Sequence, residues 1–176
     1  EETARYITPN IRYIPDDKGR LNLYPSETSG AYGVIVEVDI NSGKVKIDKQ
    51  VFVSDCGKII NPLTLDGQIQ GGVAHGIGGA MFEDLVYDKD GQLLSSTFMD
   101  YLLPTALETP DLEVIHMVTP SPVTLGGFKG GAEGGCITPP YGITNAVEDA
   151  IAPLGANMLL QPVSPENVWK SLRMAK

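Results

Sequence analysis

The residue whose surroundings most invite chemistry is Glu133. It is the one carboxylate in LGGFKGGAEGGCITP, a run of mostly small residues placed just before a helix start. Such a loop can bring backbone amides and a single side chain against a ligand. A glutamate flanked by glycine and apolar residues, with little nearby to solvate it, suits a general base. The competing reading is a flexible surface loop with a solvated glutamate, and composition leaves the two open. Lys129, four residues earlier, could pair with Glu133 or with an anion such as a phosphate. Gln68 and Gln70 lie in a second glycine-rich stretch, DGQIQGGVAHGIGGAMFED, where they could bond a polar ligand or simply face water.

Other chemistries are disfavoured by type and spacing. His75 and His116 are the two histidines, and a catalytic metal site generally needs three protein ligands, so both are read as packed or surface residues and no metal ligand is expected. Cys56 and Cys136 form no Cys-x-x-Cys pair and are read as small buried thiols, which fits a reducing cytoplasm. No Gly-x-Gly-x-x-Gly follows a strand, and neither a Gly-x-x-x-x-Gly-Lys-Ser/Thr loop nor a Gly-x-Ser-x-Gly elbow occurs.

Composition sets the wider bounds. The chain has 176 residues, 42% hydrophobic and 20% charged, enough for one folded domain. A formal charge of -9 repels phosphate backbones and anionic headgroups, so nucleic-acid and membrane partners are not expected. No run approaches the ~20 apolar residues of a membrane span, and EETARYITPN lacks the features of a signal peptide. Glycine and proline, 20 and 13 residues, exceed the usual share of about 12% for the pair.

The elements that must position these residues follow from periodicity. Residues 1–30 read as an arm of loops with at most a short strand at 10–14, and 31–176 as the domain proper. YGVIVEVDI and VKIDKQVFV, joined by NSGK, read as a hairpin with Val34, Val36, Val38, Val45 and Ile47 on its apolar face and the other face mostly wet. Apolar residues at 69, 73, 77, 80 and 81 predict a helix within 65–84, although its six glycines would each cost about 1 kcal/mol against alanine. Close approach of the backbone to a neighbour or ligand is the expected return. LVYDKDGQLLS reads as a second hairpin and LEVIHMVT as a further strand, for a sheet of four or five strands. Thr138-Pro139 predicts a helix start that runs to Gly155, and Ser164-Pro165 opens a last short helix burying Val168, Trp169 and Leu172. The expected class is α+β, antiparallel hairpins packed with helices on one face.

Five motifs in order then carry a resemblance. They are Asp55-Cys56-Gly57-Lys58-Ile59-Ile60-Asn61-Pro62, Gly67-Gln68-Ile69-Gln70-Gly71 continuing to Gly76-Ile77-Gly78, Tyr101-Leu102-Leu103-Pro104, Pro120-Ser121-Pro122, and Lys129-Gly130-Gly131-Ala132-Glu133. From Tyr32 to Leu172 the chain resembles the C-terminal part of the molybdenum-binding large subunit of the xanthine oxidase, aldehyde oxidase and aerobic carbon monoxide dehydrogenase family. The resemblance implies that Glu133 is the catalytic general base on a molybdenum-bound hydroxide that attacks an electrophilic carbon, with hydride passing to the molybdenum centre. The substrate would be an aldehyde, carbon monoxide or an N-heterocycle. It implies Gly67, Gln68, Lys129, Gly130, Gly131 and Ala132 as cofactor-binding residues for molybdenum-molybdopterin, in the cytosine dinucleotide form. The family's large subunit is several times longer, so the cofactor would be shared with the N-terminal portion of that subunit on another chain, with iron-sulfur and flavin subunits beyond it. This chain would then be inactive without its partner. The alternative is a non-catalytic fragment or protein-interaction module of the same fold.

Overall fold

The computed structural model describes residues 2–6, 11–24, 26–158 and 160–175. Its sheet starts from the predicted hairpin: β1, Ser29–Val38, pairs antiparallel with β2, Val45–Asp55. Gly43, at φ +72, turns the chain between them. The alternation holds as read, with Val45 and Ile47 buried and Val34, Val36 and Val38 packed on the core. The register slips between Ile35 and Val36, which pair with Lys49 and Ile47, leaving Asp48 as the extra residue of a bulge. That bulge puts Gln50, Phe52 and Ser54 on the buried side in phase with Val45 and Ile47.

β3, Leu112–Met117, lies on the far side of β2 and runs parallel to it. The described sheet therefore has three strands in the order β1-β2-β3, not four or five, and its last pairing is parallel where hairpins were expected. A parallel partner needs a crossover, and here it is made by a helix and the long irregular segment after it. The second hairpin shrinks to one bridge between Tyr87 and Leu93, and the early strand to one between Arg12 and Asn22, while Asn10 lies outside the described residues. The solvent side of the sheet also departs from a wet face. Lys49 pairs with Glu113 at 3.5 Å, but Ile35, Ile115 and Met117 are exposed beside them.

Three α-helices complete the fold among the described residues. α1, Pro62–Met81, starts at Asn61, whose side chain accepts from the Thr64 amide, with Pro62 in the first turn. α2, Gly134–Ile151, begins five residues before the predicted Pro139 and runs through Pro139 and Pro140, so Glu133 rather than Thr138 is its N-cap residue. Both prolines lie past the first turn, so each gives up one helix bond, to the Gly135 and Cys136 carbonyls respectively. A short 3-10 turn over 152–154 then ends at Gly155, left-handed at φ 78, as read. α3, Pro165–Met174, is capped by Ser164. It buries Val168 and Ser171, whereas Trp169 is 40% exposed and stacks under the Arg173 guanidinium.

α1 and α2 pack on the sheet's inner face and on each other around Phe52, Ile69, Val73, Ile77, Ile143 and Val147. Their crossing explains two of the six glycines in α1. A Cβ on Gly72 would stand 3.1 Å from the Gly135 Cα, and one on Gly76 would stand 2.8 Å from the Pro139 ring. Gly67, Gly71 and Gly79 instead face open space. The two sets should therefore respond oppositely to a methyl group. Gly76→Ala is expected to lose about 1–3 kcal/mol by overpacking, and Gly71→Ala to gain up to about 1 kcal/mol by restricting the unfolded chain. Urea unfolding of the two variants checks this, and a loss at Gly71 equal to that at Gly76 would contradict it.

Candidate functional site

The glycine-rich segment 126–133 is fixed at its root by the end of β2. Asp55, 8% exposed, ends that strand, and the chain then reverses at Gly57, φ +65, where a Cβ would collide with the Gly127 carbonyl. Only glycine fits that approach. Lys58 donates its amide to Gly127 O at 3.0 Å, Lys129 donates its amide to Cys56 O at 2.9 Å, and Gly57 and Phe128 form a bridge. The Asp55 carboxylate accepts from the Gly57 amide at 3.0 Å, the Thr119 amide at 3.2 Å, the Thr119 hydroxyl and the Lys129 ammonium at 3.3 Å. The Thr119 hydroxyl in turn accepts from Lys129 Nζ at 2.7 Å. These donors, the Thr119 hydroxyl first, hold the Asp55 pKa well below the usual carboxylate range.

Beyond Lys129 the loop becomes a partition between two clefts. The larger, 470 Å³, lies between the loop, the start of α2 and the β1–β2 edge, with Gly30, Phe52, Cys56 and Glu133 in its wall. The smaller, 290 Å³, lies on the other side against the start of α1 and includes Asn61, Thr64, Gln68 and Lys129. Gly131 and Ala132 wall both. Gln68 Nε2 donates to Ala132 O at 3.0 Å and so pins the partition's tip to α1. Beneath it Cys56 is buried, its sulfur 3.0 Å from the Ser54 hydroxyl, and a Cβ on Gly131 would stand 3.2 Å from that sulfur.

The residues singled out by sequence divide accordingly. Glu133, Gly130, Gly131 and Ala132 meet at the larger cleft, and Gln68 reaches the loop from the smaller one. Gly67 sits on the outward face of α1 and walls neither. Lys129 is placed differently from either expectation, since its ammonium is turned to Asp55 and Thr119 rather than to Glu133 or an open anion site. Glu133 itself is exposed in this chain, not desolvated. His75 is exposed on α1, and His116 pairs through Nε2 with Asp66 at 2.6 Å. Sequence reasoning gave no role to Asp55, Thr119, Ser54 or Phe52. The available signal was a carboxylate closing an alternating strand immediately before a glycine turn.

Known proteins resolve what such a site belongs to. Residues 1–110 match the molybdopterin cofactor-binding domain family. The nicotine 6-hydroxylase large subunit of Paenarthrobacter nicotinovorans is 43% identical over 149 residues, 85% of this chain and 18% of that protein. This chain belongs to the molybdenum hydroxylases. Among other molybdenum hydroxylases, the carbon monoxide dehydrogenase large chain of Hydrogenophaga pseudoflava is 42% identical over 82% of the chain and 18% of its own length. The crystal structure of quinoline 2-oxidoreductase from Pseudomonas putida 86 superposes at a TM-score of 0.82, with 39% identity over 85% of the chain and 19% of that structure. The chain thus spans about a fifth of the molybdenum hydroxylase subunits it matches, and its α+β architecture is theirs. Among the described residues no helix is long and apolar enough to cross a membrane.

The Asp55 clamp has a consequence for acid stability. With the folded-state pKa depressed, the unfolded chain binds the proton first, so the clamp's contribution is full above the unfolded value of about 3.9 and is lost as pH falls through the folded one. Asp55→Asn should therefore be less stable than the parent near neutral pH but show a shallower loss of stability on acidification. Urea midpoints at pH 6 and pH 3 check this, and parallel losses in both chains would contradict it.

Proposed function

We propose that this chain is the cofactor-facing portion of a molybdenum-dependent oxidoreductase, with Glu133 as its general base. The observation that carries the reading is that one carboxylate and a run of bare backbone, 130–132, wall the same 470 Å³ cleft at the start of α2. The residues fit the implied group. Gly130 presents backbone with nothing within 4 Å of a Cβ position, Gly131 and Ala132 extend that surface, and Gln68 adds a side-chain amide beside it. Among the described residues no three His, Cys, Asp or Glu side chains gather as a ligand set, so what this chain offers is amide hydrogen bonds rather than coordination.

Gln68, Gly130, Gly131 and Ala132 would hold molybdopterin, in its cytosine dinucleotide form, and Lys129 would serve by fixing the loop's root. The bound molybdenum group would supply an activated oxygen and an electron sink for hydroxylation. Glu133 Oε then takes the proton released as the carbon-oxygen bond forms, and its exposed position gives it the reach to do so. Relatives named for nicotine, quinoline and carbon monoxide support N-heterocycles and carbon monoxide as substrate classes, with aldehydes as a third. The rest of the molybdenum subunit would close the open side of the cleft and exclude water, so these 176 residues alone would not turn over. Iron-sulfur and flavin subunits would carry the electrons away, and two free thiols, Cys56 and Cys136, suit a reducing cytoplasm.

Affinity purification from the native host should bring down a longer molybdenum-subunit chain together with molybdenum. In that assembly Glu133→Gln should lower turnover by about 10²–10⁴-fold, the usual worth of a positioned base, with molybdenum content unchanged by elemental analysis. A loss below about tenfold would remove Glu133 from the base role. Recovery of the chain alone and metal-free would leave a non-catalytic fold of enzymatic ancestry.

A further inference from the structure

We infer that Asp55 is the positioning residue for the Glu133 loop, acting through Lys129 and Thr119 to set where the partition between the two clefts stands. The inference rests on the proposed function only in giving Glu133 its role. The placement itself is a matter of geometry. Asp55's own turn, through the Gly57 amide, and two segments far from it in sequence end on one carboxylate: the exit of β3 through Thr119 and the root of the glycine loop through Lys129. The Asp55 and Lys129 side chains are 11% and 14% exposed, so the pair is neither freely solvated nor cheaply broken.

Burial makes the pair an anchor rather than ornament. Hydrogen bonds to a charged group in such surroundings are stronger than neutral ones, and removing one partner leaves the other charge stranded. Thr119 makes the arrangement specific, since its hydroxyl donates to Asp55 and accepts from Lys129, and the three groups hold only in one relative position. Neither Asp55 nor Lys129 walls the larger cleft; Ser54 and Cys56 beside Asp55 do, whereas an effect of Lys129 on that cleft travels through the loop. Four residues beyond Lys129 stands Glu133, the N-cap residue of α2. The stretch between holds two glycines and is tied at its tip by Gln68. A loop of that composition has little stiffness of its own and takes its position from its ends.

The same geometry supplies a reporter. Cys56, one residue from Asp55, lies under Gly131 with only 8% exposure in the cleft wall, and becomes more reachable when the partition lifts. The other thiol, Cys136, is partly exposed and is removed as Cys136→Ser. In that background, the rate at which the 176-residue chain reacts with a disulfide reagent such as dithionitrobenzoate measures opening of the loop. Asp55→Asn and Lys129→Met should each raise the Cys56 rate by about 10- to 100-fold, the loss expected for a hydrogen bond to a charged group expressed as local opening. The double variant should do little more than either single change, because the two act as one unit. Thr119→Val should move the rate the same way, and Thr119→Ser, which keeps the hydroxyl, should restore it.

Amide exchange at Val147, in the buried face of α2, separates loop opening from global unfolding. The inference is overturned if the Cys56 rate stays within about twofold of the parent, or if it rises only in step with Val147 exchange. It is equally overturned if Thr119→Ser fails to restore what Thr119→Val loosens. Glu133→Gln should leave Cys56 reactivity unchanged. The assay needs neither metal nor turnover, so failure of the base reading and failure of the clamp are read out separately.

Discussion

Two helix backbones can touch only where neither carries a side chain, and α1 and α2 touch at Gly72 and Gly135. That crossing fixes the direction in which α2 leaves the loop, and with it the position of Glu133 at the rim of the larger cleft. The contact is assisted one turn along by Gly76 against the Pro139 ring. Pro139 gives up one helix bond there, and its ring fills the groove that Gly76 leaves. Two of the six glycines of α1 thus serve this packing, and a bulkier helix would push α2 and the cleft wall apart.

On this frame the loop is held by polar contacts. Its root is tied to Asp55 and Thr119 through Lys129, its tip to Gln68, and its floor is Cys56. The arrangement puts a thin strip of backbone between two clefts, with amides available on both sides. A partition built from longer side chains would fill the space it divides. The cation of the loop is spent internally on Asp55, so the charged side chain that the loop contributes to the larger cleft is Glu133 alone among the described residues.

Much of this was legible in the chain itself. The hairpin was readable because period-two alternation survives even the bulge at Asp48, and α3 because Ser164-Pro165 states its start in local chemistry. The start of α2 was misplaced because Thr138-Pro139 mimics a cap, while the true first turn is Gly134-Gly135, which propensity reads as loop and tertiary contact with Gly72 makes helical. β3 was found as a strand but not as a parallel one, since pairing direction depends on a crossover that no local pattern encodes. The site divided in the same way. Glu133 stood out because nothing around it shares its character, whereas Asp55 resembles any acidic residue at a strand end until three segments are seen to converge on it. Lys129 misled for the opposite reason, since a lysine beside glycines looks free until its partner, far off in sequence, is seen.

The sheet has a further meaning for how such a chain behaves in a tube. Among the described residues the sheet has three strands in the order β1-β2-β3, so two of the three are edges, and an edge strand presents unpaired backbone donors and acceptors. Ile35, Ile115 and Met117 lie exposed on the uncovered face between them. Edge and face together form a template for another strand. The useful lifetime of the separate chain in solution is consequently governed by its concentration as much as by its folding free energy, because self-association rises with crowding of copies while folding does not. A net charge of -9 opposes that encounter at low salt and loses its reach as ionic strength rises.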